Sequence, residues 1–172
     1  MAGSLIKLDE EIVSSAVSSV TLTGIDSSYD VYMVKFNNVK PVTNGADMRV
    51  RVTESGTPNT TSNYDEAGKL LRADTTFQNI SDSNRDYWIL SGSVDNGTGE
   101  NLNNIMYIFN ANNSSEYTSV TIESNYIDSN NFKGLQAGGV FTVTSQVNGV
   151  SILFDSGNID TGSKFVLYGL KK

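Results

Sequence analysis

The chain has neither cysteine nor histidine in its 172 residues. Without cysteine there is no disulfide framework, no zinc–thiolate centre and no thiol nucleophile. Without histidine the commonest general base and the commonest transition-metal ligand are missing as well. Proline occurs twice and tryptophan once, and charged residues make up only 18%. Cations are scarce: 12 Lys and Arg stand against 19 Asp and Glu, for a net charge of −7. The densest basic positions are Arg49 with Arg51, and Lys171 with Lys172. A surface that tracks nucleic acid needs clustered cations to neutralise phosphates, so this balance argues against nucleic acid as a partner. No stretch approaches the roughly 18 apolar residues of a spanning helix, so no membrane insertion is expected. Asp9, Glu10 and Glu11 stand where a signal peptide has its apolar core. The expectation is a soluble protein that reaches its place of work without a removable leader.

What is present points to strands. There are 22 Ser, 15 Thr and 19 Asn beside 38% hydrophobic residues, a composition that suits β structure with polar outward positions and loops. Period-two alternation runs through Val20–Leu22, Met48–Val52, Tyr117–Ile122, Val140–Thr144, Val150–Phe154 and Phe165–Leu170. In Tyr29–Phe36, Tyr32, Val34 and Phe36 share one face while Tyr29, Val31 and Met33 share the other. Ile105–Phe109 (IMYIF) is apolar on both faces and predicts a strand covered on both sides. Asp65–Arg72 is the best local helix candidate, but Gly68 and the flanking alternation favour a strand. Asn148-Gly149 between two alternating runs predicts a hairpin, because both residues tolerate positive φ. The segment from Thr53 to Tyr64, with Pro58, reads as an exposed loop.

Many short antiparallel strands without helices between them imply a sandwich or a barrel. The prediction is an all-β chain forming a single antiparallel, jelly-roll-like β-sandwich of about eight to ten strands. Its core is expected to hold Val20, Leu22, Val34, Phe36, Met48, Val50, Val52, Ile108, Val120, Ile122, Phe165 and Leu167. No repeat or linker divides the chain. The sandwich is assigned to residues 16–172, and residues 1–15 to an N-terminal arm or first edge segment. Leu5, Ile6, Leu8, Ile12 and Val13 are too few to form a core alone, so they are expected to bury against a neighbouring subunit as an assembly arm.

The chemistry on offer is thin. Asp95–Glu100 (DNGTGE) superficially resembles a calcium loop but lacks the ligand spacing and the distant Glu. No Gly-x-Ser-x-Gly elbow occurs, and the glycine-rich Gly134–Gly139 is followed by a strand pattern instead of a phosphate-binding helix. No enzyme activity, catalytic residue, metal or cofactor is therefore expected. Loop acids could face each other across a cleft as in glycosidases, but one sequence cannot place them so. Tyr29, Tyr64 and Tyr117 sit near strand starts and are candidates for exposed aromatic contacts, including contacts to sugar.

Leu5-Ile6-Lys7-Leu8-Asp9, Ser18–Asp26 and Tyr29-Asp30-Val31-Tyr32 resemble the opening of small structural proteins of tailed bacteriophages of the marine and cyanobacterial type. Asn63-Tyr64-Asp65 with Leu71–Thr75 is similar to their middle segment, and Ser156–Ile159 through Phe165–Lys171 to their closing strand. The resemblance covers most of the chain and includes no catalytic motif. It implies a non-enzymatic virion component, assembled in the bacterial host cytoplasm, and does not distinguish head from tail; the first expectation is a capsid decoration or cement protein. The implied partners are further copies of itself, as a homotrimer, and other virion proteins such as the major capsid protein or tail proteins. The alternative is a tail-associated fibre, spike or adaptor that binds host-surface glycan.

Overall fold

The structure, a computed structural model, describes residues 4–170. It is all-β, with thirteen strands in two antiparallel sheets. In chain order these are β1 (Leu5–Ile12), β2 (Ser19–Thr23), β3 (Val31–Val39), β4 (Ala46–Glu54), β5 (Thr57–Pro58), β6 (Tyr64–Arg72) and β7 (Gln78–Arg85). They continue with β8 (Trp88–Val94), β9 (Leu102–Phe109), β10 (Thr118–Asp128), β11 (Asn131–Phe141), β12 (Gly149–Phe154) and β13 (Lys164–Leu170). The larger sheet runs β1-β13-β3-β9-β10-β11-β6-β7; the smaller runs β2-β12-β4-β5, with β8 also pairing β4.

Eight of these strands make a jelly roll. The chain alternates between layers through β1, β2, β3 and β4, turns back through β8 beside β4, and alternates again through β9, β12 and β13. The two layers that result, β1-β13-β3-β9 and β2-β12-β4-β8, have the order of two interlocked Greek keys. The remaining strands are two insertions. One carries β5–β7 between β4 and β8, and the other is the long β10–β11 hairpin between β9 and β12. Strand β11 pairs with β6, so the insertions join side by side and extend the larger sheet beyond β9.

The core sits between the layers, where alternation puts it. All twelve residues expected inside are buried. Asp65–Arg72 is strand, as the alternation on either side of it implied. The total of thirteen strands exceeds the predicted eight to ten because β1, β5 and β7, which no clear alternation marks, also pair into the sheets.

Asn148-Gly149 does not form the predicted hairpin. The strands on either side, β11 and β12, lie in different sheets. Gly149 is needed for another reason: a Cβ there would stand 2.3 Å from the carbonyl oxygen of Leu22. The Asn148 side chain instead accepts the Thr53 hydroxyl at 2.9 Å and pins the crossing. The tight turn between β10 and β11 falls at Ser129-Asn130, both with positive φ, as a two-residue hairpin turn of this kind requires.

Candidate interaction surfaces

The N-terminal segment is an edge strand, not a free arm. Strand β1 pairs with β13 from Leu5↔Leu170 to Ile12↔Lys164, with a bulge between Lys7 and Asp9. Glu10 adds an ion pair to Lys164 at 3.2 Å. Leu8 packs against the core and Val13 belongs to it. Leu5, Ile6 and Ile12 remain exposed. The expected assembly residues thus divide between sandwich and surface.

The outer face of the jelly roll's larger layer is unusually apolar. Cross-strand register sets Tyr168, Met33 and Tyr107 in one row, with Val166, Lys35 and Ile105 in the next. Val31 stands opposite Phe109, and Leu5 opposite Leu170. Ile105 is 39% exposed, and Tyr107, Phe109, Tyr168 and Leu170 are half-buried. Met33 and Val166 are buried although they point outward, and Lys35 stands exposed between Val166 and Ile105. Among the described residues no element packs over this face. The expectation that IMYIF is covered on both sides is therefore met on one side only within the chain.

The insertions position a second feature. They curl over β8, whose free edge would otherwise present unpaired backbone groups. Side chains from the added strands satisfy them. The Ile89 N–H donates to Glu66 Oε2 at 2.8 Å, Ser124 Oγ donates to the Leu90 carbonyl at 2.7 Å, and the Gly92 N–H donates to the Tyr126 hydroxyl at 3.3 Å. Behind this seam Tyr64 meets Trp88 edge-on with ring centroids 5.0 Å apart and tilts against Phe141 at 4.9 Å. The approach is close: a Cβ on Gly139 would stand 2.6 Å from Trp88 Nε1.

Glu66 is the most perturbed carboxylate. It is 6% exposed, and burial pushes its pKa up to about 7, with the negative charge of Asp82 adding to the rise. Its Oε1 is enclosed and unpaired, as is the indole N–H of Trp88. A raised carboxyl pKa is a familiar mark of a general acid. Here, however, Oε2 holds the β8 backbone, Oε1 touches no solvent, and Asp82 is tied to Arg85 at 2.6 Å. Glu66 thus serves the β8 edge, while Asp82 lines a cleft of about 500 Å³ beside it.

The loop Asp95–Glu100 is held by its own side chains and by neighbouring strands and loops. Glu100 Oε2 accepts the Gly97 N–H at 2.6 Å, and the Asp95 N–H donates to the Ile127 carbonyl. No group of three or more acidic side chains placed to hold a metal occurs among the described residues.

The tyrosines fall in three different environments. Tyr117 is 50% exposed in the loop before β10. Tyr29 is half-buried, with its ring edge-on to Tyr32 and over Gly169. Tyr64 is 1% exposed, which removes it from the surface set. Its hydroxyl donates to the Asn59 carbonyl and accepts from the Val52 N–H. Its position at a strand start suggested exposure; the fold of the insertion over β8 buries it. The most exposed aromatics are Phe77 and Phe132, which alternation alone did not mark. Phe132 lines a groove of about 380 Å³ on the outer face of the extended sheet, with Asn37, Asn103, Ile105, Asn125 and Gln136. No protein-family model, curated protein or solved structure matches this chain.

Proposed function

We propose that the chain is a non-enzymatic structural protein of a tailed-phage virion, decorating or cementing the capsid through protein–protein contacts. The observation that carries this reading is the open apolar face of β13, β3 and β9. Strands apolar on both faces are normally covered on both, and a contiguous exposed apolar patch marks an interaction site. The jelly roll recurs in viral capsid domains, and equally in lectins and cupins, so it supports the reading by analogy only. The resemblance of the sequence to tailed-phage structural proteins points the same way. On this reading copies associate as a homotrimer and dock on the major capsid protein or another virion protein.

The test is the mass of the full chain in solution at micromolar concentration, beside a Tyr107→Lys, Phe109→Glu double variant. The expected result is an oligomer for the native chain and a folded monomer for the variant. A native chain that is monomeric overturns the assembly reading. A tail-associated module that binds host-surface carbohydrate is the second reading, favoured by the exposed Phe132 among carboxamides. Copy number in purified particles separates the two, since a capsid shell takes far more copies than a tail.

A further inference from the structure

We infer that the groove across β3, β9, β10, β11 and β6 is a binding site for a neutral sugar, with Phe132 as its stacking platform and Asn37, Asn125 and Gln136 as its hydrogen-bonding groups. The site follows from the cross-strand register. Ile105, Glu123 and Gln136 form one row, and Asn103, Asn125, Gly134 and Leu71 form the next. Phe132 and Gln136 flank Gly134 on the same face of β11. Gly134 has no side chain and is itself buried at the base of the groove, between ring and carboxamide. Leu71 closes one side: its Cδ1 lies 3.7 Å from where a Gly134 Cβ would be. The groove's volume of about 380 Å³ falls toward the small end of ligand sites, which span roughly 300–1,000 Å³.

The chemistry of the lining selects the ligand. A pyranose offers an apolar C–H face and a rim of hydroxyls that both donate and accept. Phe132 is 55% exposed near the start of β11 and presents an apolar ring. Each carboxamide offers donor and acceptor together. Asn103 is held, since its Oδ1 accepts the Asn38 N–H at 3.0 Å and its Nδ2 donates to Asn101 at 2.8 Å. Asn37, Asn125 and Gln136 line the same groove with no side-chain hydrogen bond of their own in the structure.

Other ligand classes fit less well. Lys35 is the one cation in the lining, and Glu123 balances it, so a phosphate chain or nucleic acid finds no cationic track. The floor lies in mid-sheet, where backbone groups are already paired in the β3–β9–β10–β11–β6 ladders. A peptide therefore cannot add as a strand. The groove shares Lys35 and Ile105 with the margin of the apolar face, while Phe132, Asn125 and Gln136 lie on the inserted strands β10 and β11.

The test is a backbone-amide NMR titration of the full chain. The probes are methyl α-D-glucoside, methyl β-D-galactoside, methyl α-D-mannoside and chitobiose, with sodium polyphosphate as the anionic comparison. The expected result is saturable shifts at Asn37, Ile105, Asn125 and Phe132–Gln136 with at least one neutral probe. Phe132→Ala and Asn125→Ala should each weaken that binding about tenfold without lowering the melting temperature. Phe77→Ala, an exposed phenylalanine outside the groove, should leave it unchanged. Absence of saturation with all four neutral probes overturns the inference. So does binding that survives both groove variants, or saturation by polyphosphate alone.

Discussion

Replacing Glu66 with Gln isolates the cost of burying its charge. In the folded chain its pKa is raised from the ordinary 4.5 to about 7. The fold therefore favours the protonated form, and this contribution to stability is complete below the unfolded-state pKa. It is lost as pH rises through the folded-state value. At about 1.36 kcal/mol per pKa unit, the loss is about 3 kcal/mol, most of it between about pH 5 and pH 8. Gln does not titrate, and its carbonyl can still accept the Ile89 N–H. Any pH-independent effect of the substitution cancels when the two proteins are compared at two pH values. The assay is urea denaturation followed by the fluorescence of the single Trp88, at about pH 5 and about pH 9 in equal salt. The Gln variant should gain about 2–3 kcal/mol on the native chain between the two conditions. For a chain of this size that corresponds to roughly 5–10 °C in melting temperature. If the stability difference is the same at both pH values, the carboxylate is not buried as described and the edge-capping account of Glu66 fails.

Two further outcomes are expected. Gly139→Val drives a side chain into the Trp88 indole, where even a Cβ would stand 2.6 Å from Nε1. It should cost about 1–3 kcal/mol in chemical denaturation, and an unchanged midpoint would contradict the packing of the seam. The chain should turn over no polysaccharide, ester or phosphate substrate; hydrolysis that disappears with Asp95→Asn or Glu100→Gln would refute the non-enzymatic reading.

The elements of the sandwich were readable because burial on one face writes itself into the sequence with period two. Met48, Val50 and Val52 alternate with Asp47, Arg49 and Arg51, and only one face of β4 meets the core. The identity of that core was therefore a local property. The order of strands was not local. Asn148-Gly149 has hairpin chemistry, yet the residues after it join a different sheet from those before it. Tyr64 lies beside Trp88 through contacts with a strand 24 residues away, so its burial could not be read from its own neighbourhood. Exposure of Phe132 and Ile105 has the same origin. Alternation tells which residues share a face but not whether another layer covers it. The apolar second faces of Tyr29–Phe36 and Ile105–Phe109 were the visible signal, and three such strands side by side became a patch only once the topology was known. The groove left a fainter signal, a glycine between Phe132 and Gln136 on one face of a strand.

The pairing of β6 with β11 makes the two insertions mutually dependent. Each comes from a different point in the chain, and each supplies one side of the join. Excising the β10–β11 hairpin would detach the β6–β7 pair from the larger sheet, and excising β5–β7 would leave β11 as a long open edge. Removing both would restore a plain eight-stranded jelly roll but strip Glu66, Ser124 and Tyr126 from β8. That would leave Trp88 at a bare sheet edge, the kind of surface that invites pairing with other chains. The additions are thus dispensable neither singly nor together, and shortening this protein toward its minimal fold would require a redesigned β8.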